Sequence, residues 1–133
     1  MANDLTASNL TVVVTERWIE GVKRHSRGTL TLAGTLEYPT GGILLDGPTA
    51  ALTPSAPKRF GMDRQLDVLM VNGDNLDLAP GTTSTTSFVY QYNPVTKALV
   101  LYEGGTATTD PLTEASNARV PGRRSLRFYA IGW

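Results

Sequence analysis

Short runs in which apolar and polar residues alternate dominate this chain, and clusters of glycine, proline and threonine separate them. "LTVVVTERWIE" (10–20) is rich in β-branched residues, and "RGTLTLAG" (27–34) sets Leu30 and Leu32 against Thr29 and Thr31. "SFVYQY" (87–92) puts Phe88, Tyr90 and Tyr92 on one face, and "KALVLYE" (97–103) sets Leu99 and Leu101 against Val100 and Tyr102. "SLRFYAIGW" (125–133) places Leu126, Phe128 and Ala130 opposite Arg127, Tyr129 and Ile131. Period-two alternation of this kind marks half-buried strands. "LDVLMV" (66–71) is instead a continuous apolar run with one Asp, which predicts a strand covered on both faces.

Helical periodicity is nearly absent. "TPSAPKRFGM" (53–62) carries two prolines and has room for one turn, with Thr53 or Ser55 as its cap. The pattern predicts an all-β chain of six to eight strands, with long loops at 38–57, 72–86 and 104–118. Asn93-Pro94 falls between two alternating runs and predicts an antiparallel hairpin. The architecture expected is an antiparallel sandwich or barrel, with a jelly roll among the options.

Length fits one domain: of the 133 residues, 10–133 are expected to form a single β-domain and 1–9 a polar, flexible arm. A chain of this size buries roughly two-thirds of its unfolded surface, so packing alone can hold it. Cysteine is absent, which excludes disulfides and thiolate chemistry. "MANDLTASN" lacks the pattern of a secretory signal, and no stretch approaches the ~20 apolar residues of a membrane span. Twelve basic and twelve acidic residues cancel, a balance that argues against a general nucleic-acid binder and favours association.

"YPTGG" (38–42) lacks the glycine spacing and following helix of a dinucleotide loop and the Gly-Lys-Ser/Thr of a Walker loop, so a turn is expected there. His25, the one histidine, shares a strand face with Lys23 and Arg27, and no serine sits in a Gly-x-Ser-x-Gly elbow. A surface or interface histidine is therefore expected rather than a triad member. "NGDNLD" (72–77), with Asp63 and Asp67 nearby, offers oxygen ligands for calcium, but Leu76 breaks EF-hand spacing and Asx turns explain the run equally. No catalytic residue, cofactor or metal is assigned, and the chain reads as no enzyme.

Two basic clusters remain. "KRHSR" contributes Lys23, Arg24 and Arg27; "ARVPGRRSLRF" contributes Arg119, Arg123, Arg124 and Arg127. They read either as solvated strand faces or as a basic surface for an acidic partner protein, with nucleic acid the lesser option. The apolar ending "FYAIGW" predicts that Trp133 is tethered, in the core or against a neighbouring subunit.

The ordered set "RGTLTLAGTLEYPTGG", "ALTPSAPKRFGMDRQLDVLMV", "FVYQYNPVTKALVLYEGG" and "SLRFYAIGW" resembles small virion structural proteins of tailed bacteriophages, of the capsid decoration (cement) type. The resemblance spans roughly residues 20–132, and "PSAPKR" departs from it by lengthening one loop. It implies a β-rich homotrimer on the capsid exterior, made in the host bacterial cytoplasm, with the major capsid protein as partner and no membrane or direct nucleic-acid role. Tyr38, Pro39, Gly41, Gly42, Arg123, Arg124 and Trp133 are the expected interface residues. A phage tail or receptor- and glycan-binding β-sandwich is the alternative, with Tyr38, Tyr90, Tyr92 and Tyr102 stacking on sugar rings.

Overall fold

The computed structural model describes residues 5–6, 9–32, 36–45, 56–76, 88–103, 112–115, 120–121 and 124–133, with 56, 73–76 and 124 described by their backbone alone. The elements are β1 (Thr11–Glu20), β2 (Lys23–Leu32), β3 (Ile43–Leu44), the single helical turn α1 (Ala56–Arg59), β4 (Leu66–Leu76), β5 (Val89–Asn93), β6 (Ala98–Glu103), β7 (Thr113–Glu114) and β8 (Arg124–Gly132). All pairings are antiparallel and form two sheets, β1-β2-β8-β4 and β3-β6-β5, with β7 pairing β6 beyond β3. Among the described residues neither sheet closes on itself, so the sandwich expectation holds and the closed barrel does not.

Alternation explains the packing. Leu30 and Leu32 of β2 and Leu126, Phe128 and Ala130 of β8 turn inward and are buried, as are Tyr90, Tyr92, Leu99 and Leu101 of the second sheet. The Tyr92 hydroxyl donates to the Leu66 carbonyl across the sandwich at 3.3 Å. Phe60, just after α1, meets Phe128 edge to face with centroids 5.1 Å apart. Ser26, fully buried, donates its hydroxyl to the Phe60 carbonyl, which pins the α1 turn beneath the sheet.

Two turns set the registers. Glu20 pairs with Lys23 across a two-residue turn whose first position, Gly21, has φ +64°, the geometry a type II′ hairpin asks of glycine. The hairpin expected at Asn93-Pro94 joins β5 and β6, and the Asn93 side chain accepts the amides of Val95 and Thr96 at 2.9 and 3.3 Å. Lys97 closes that turn at φ 59°.

Three expectations need correction. β4 is not covered on both faces: Leu66 and Leu69 are buried, whereas Val68 and Met70 are 39% and 57% exposed. The strand lies at a sheet edge, and its apolar run faces the core on one side and solvent on the other. The loop regions also hold β3 and β7, strands of two residues each, too short to leave a period-two signal. Within the 1–9 segment, Leu5 is buried in the core and its amide donates to the Glu37 carbonyl at 2.7 Å, so this part of the segment is docked.

Phe128 sits on the central strand and touches both the sandwich core and α1's turn. Phe128→Ala is expected to lower unfolding free energy by about 3–5 kcal/mol, measured by chemical denaturation.

Candidate functional site: the open face of the β8 sheet

The face of the β1-β2-β8-β4 sheet turned away from the core is built in rows by the strand registers. Trp18, His25, Ile131 and Val68 lie side by side across all four strands, and Glu16, Arg27, Tyr129 and Met70 form the next row. At a strand spacing of ~4.8 Å each row spans roughly 15 Å. Trp18, Val68, Met70 and Trp133 are 38%, 39%, 57% and 41% exposed, large apolar groups that soluble surfaces seldom gather together.

His25, expected at the surface or in an interface, is the centre of this face and is buried within the chain rather than exposed. Trp18 stacks on its ring with centroids 5.3 Å apart and planes at 13°, and its Nδ1 lies 2.6 Å from the Tyr129 hydroxyl. Glu20 approaches Nε2 at 3.6 Å. Two large aromatic neighbours cover an outward-facing side chain, an effect alternation alone does not reveal. No described serine joins His25 in a hydrogen bond.

The first basic cluster is internally neutralised. Lys23 pairs with Asp67 at 2.6 Å, Arg24 with Asp63 at 2.9 Å and Arg27 with Glu16 at 2.8 Å. The same contacts occupy the Asp63 and Asp67 carboxylates considered for calcium. Among the described residues no group of three metal-ligating side chains occurs, and the side chains of Asp74 and Asp77 lie outside them. No helix among the described residues is long and apolar enough to cross a membrane.

Trp133 is tethered through its backbone. Its carbonyl accepts the amides of Asp63 and Arg64 at 2.7 and 2.8 Å, and its amide donates to Gln65 at 3.0 Å. The indole is not in the core; it lies on the open face with the Lys23 ammonium 3.8 Å from the ring centroid, a cation–π contact. Lys23 therefore bridges Trp133 and Asp67. Burial by itself would raise the Asp67 carboxyl; hydrogen bonds from Lys23 and Gln65, and the attraction of the ammonium, outweigh it and hold the group below the usual carboxylate range.

Of the remaining expected interface residues, Tyr38, Pro39, Gly41 and Gly42 are described, and they do not join this patch. Tyr38 is fully buried, its hydroxyl donating to Glu114 at 2.7 Å and accepting the Leu101 amide at 3.4 Å. Burial, and next the bond to Glu114, push the phenol above its usual value, so it stays a neutral donor. Tyr38 thus supports its loop from below and offers no ring to a partner. Glu114 also accepts the Gly41 amide at 2.5 Å, and the Gly42 amide closes a turn on the Pro39 carbonyl at 3.0 Å. Gly42 has φ +106°, and a Cβ there would come within 2.9 Å of the Leu99 carbonyl oxygen. The "YPTGG" segment is a turn pressed against β6, as its composition implied. Arg123 and Arg119 lie outside the described residues, as does the side chain of Arg124, whose backbone starts β8 at the end remote from Trp133.

Trp18, Met70, Tyr129 and Arg17 were not singled out by sequence reasoning. The signal available was the outward parity of Trp18 and Tyr129, but parity becomes a surface only when the strand order is known. No family model matches the chain, and no match to it was found among the curated proteins or the solved structures.

Because the Asp67 carboxyl is held low in the fold, its contribution is present above the unfolded value of about 4 and is lost as pH falls through the folded value. Asp67→Asn is expected to flatten the fall in denaturation midpoint between about pH 5 and pH 2, read by urea titrations at each pH.

Proposed function

We propose that this chain is a virion structural protein: a capsid decoration (cement) protein that lies on the exterior of a bacteriophage head and braces it by binding across subunits of the major capsid protein. The observation that carries this reading is the two-row aromatic and aliphatic patch on the open sheet face, with Trp18, Val68, Met70, Tyr129 and Trp133. Tryptophan and tyrosine dominate the energetics of protein interfaces. The ion pairs around the patch leave it close to neutral, which suits contact with a large protein surface better than with a polyanion. The ordered resemblance to small phage virion proteins supplies the class of partner.

The mechanism is mechanical. A bound copy buries apolar surface at the junction between capsid subunits, and opening the shell re-exposes it to water. A stable contact of this kind covers roughly 1,200–2,000 Å² in total. In a homotrimer three modest footprints act together, since after the first engages the other two bind at high effective concentration. The glycan-binding alternative loses its platform: Tyr38, Tyr90 and Tyr92 are buried, which leaves Tyr102 alone of the four tyrosines.

Undecorated capsid shells mixed with the protein and sedimented are expected to carry it down at saturating stoichiometry, and the free protein is expected to have the mass of a trimer. Met70→Glu, and separately charge reversal at Arg123 and Arg124, should each weaken occupancy by about tenfold or more while leaving the free protein folded. Undiminished occupancy in the Met70 variant removes the open face from the contact; undiminished occupancy in the arginine variant removes Arg123 and Arg124.

A further inference from the structure

Edge strand β1 carries an inference that does not depend on the capsid reading. Among the described strands β1 pairs with β2 alone, so every second residue along its other side directs backbone N–H and C=O groups away from the sheet. Exposed edges are commonly blunted by proline, lysine or a bulge. β1 has neither proline nor lysine, and its register breaks once, between Val14 and Glu16, after which 16–20 run as an unbroken ladder.

Beside that ladder lies a cleft of about 380 Å³ lined by Arg17, Trp18, Ile19, Arg24, His25 and Gly61. The Arg17 side chain crosses Gly61, where an added Cβ would sit 3.1 Å from its Cδ. Ile19, 67% exposed, pairs directly with Arg24 of β2. Lys23, Arg24 and Arg27 each hold a carboxylate, but no described carboxylate pairs with Arg17. Among the described residues, the cleft therefore combines a guanidinium with no carboxylate partner, exposed apolar surface and a backbone ladder with no second strand.

We propose that this edge takes an extended, acid-bearing segment of a partner protein as a fifth strand, antiparallel to β1. The added strand places an aspartate or glutamate opposite Arg17 and apolar side chains opposite Trp18 and Ile19. The ladder supplies affinity for any extended backbone, and the side chains on alternate faces supply selectivity. Arginine suits the acidic position because its planar fork meets a carboxylate with two parallel hydrogen bonds. A small free carboxylate would use Arg17 and leave the ladder and Trp18 unfilled. Antiparallel pairing is the arrangement every strand pair of this protein already uses.

The test is a titration of the ¹⁵N-labelled protein with the capped heptapeptide Ser-Val-Val-Glu-Thr-Val-Ser and with the same peptide carrying glutamine in place of glutamate. The glutamate peptide is expected to shift the amides of residues 15–20 and Gly61 and to bind about two- to fivefold more tightly than the glutamine peptide. Arg17→Glu should abolish that preference, whereas Arg127→Glu, on the open face away from the cleft, should retain it. Arg17→Gln repeats the measurement should the charge reversal perturb the dispersed spectrum of the fold. Equal affinity for the two peptides, no binding at millimolar peptide, or shifts along β4 in place of β1 would each overturn the proposal.

Discussion

Strand β8 holds the larger sheet together. It lies between β2 and β4, which meet only through it; its nine residues pair on one side with Arg24–Leu32, and eight of them pair on the other with residues of Leu66–Leu76. Both neighbours are distant in sequence, so the sheet forms only when the last stretch of the chain closes two long loops at once. The backbone clasp between Trp133 and residues 63–65 fixes the end of that strand. Lys23 then ties the clasp to β2 by standing between the Trp133 ring and the Asp67 carboxylate.

From that constraint the two faces follow. Because β8 alternates strictly, Leu126, Phe128 and Ala130 enter the core and Tyr129 and Ile131 face out. The registers then align Trp18 and His25 from one side and Val68 and Met70 from the other with those outward residues. The aromatic patch is thus a consequence of strand order. Neutralisation of the neighbouring charges is a consequence of the same order, since it brings Lys23 and Arg24 of β2 beside Asp67 at the start of β4 and Asp63 just before it.

Much of the fold was legible because half-buried strands leave a period-two signal: the segments around β1, β2, β5, β6 and β8 stand out, as does the turn at Asn93-Pro94. β3 and β7 escape because two residues cannot show a period. β4 misleads because an edge strand with apolar residues on both faces reads like a central one. Of the site, Trp133 was legible as a tethered residue, though its ring lies outside the core. His25 was placed on the correct strand face, but its burial depends on Trp18 and Tyr129 closing over it from neighbouring strands. Tyr38 looked like a loop-tip contact; only the position of Glu114, far away in sequence, shows that its hydroxyl is turned inward. Arg17 carries no sequence motif and stands out because the other three cations on this hairpin each have a carboxylate.

Hydroxyl-radical footprinting of the protein, free and bound to undecorated capsid shells, tests the role of the open face most directly because it reads individual side chains. Trp18, Met70, Tyr129 and Trp133 should oxidise in the free protein and be protected on the shells, while Val95 and Leu112, exposed elsewhere on the molecule, should react alike in both. Unchanged oxidation of the four open-face residues, with protection appearing instead at Val89 and Tyr102 of the second sheet, would contradict it.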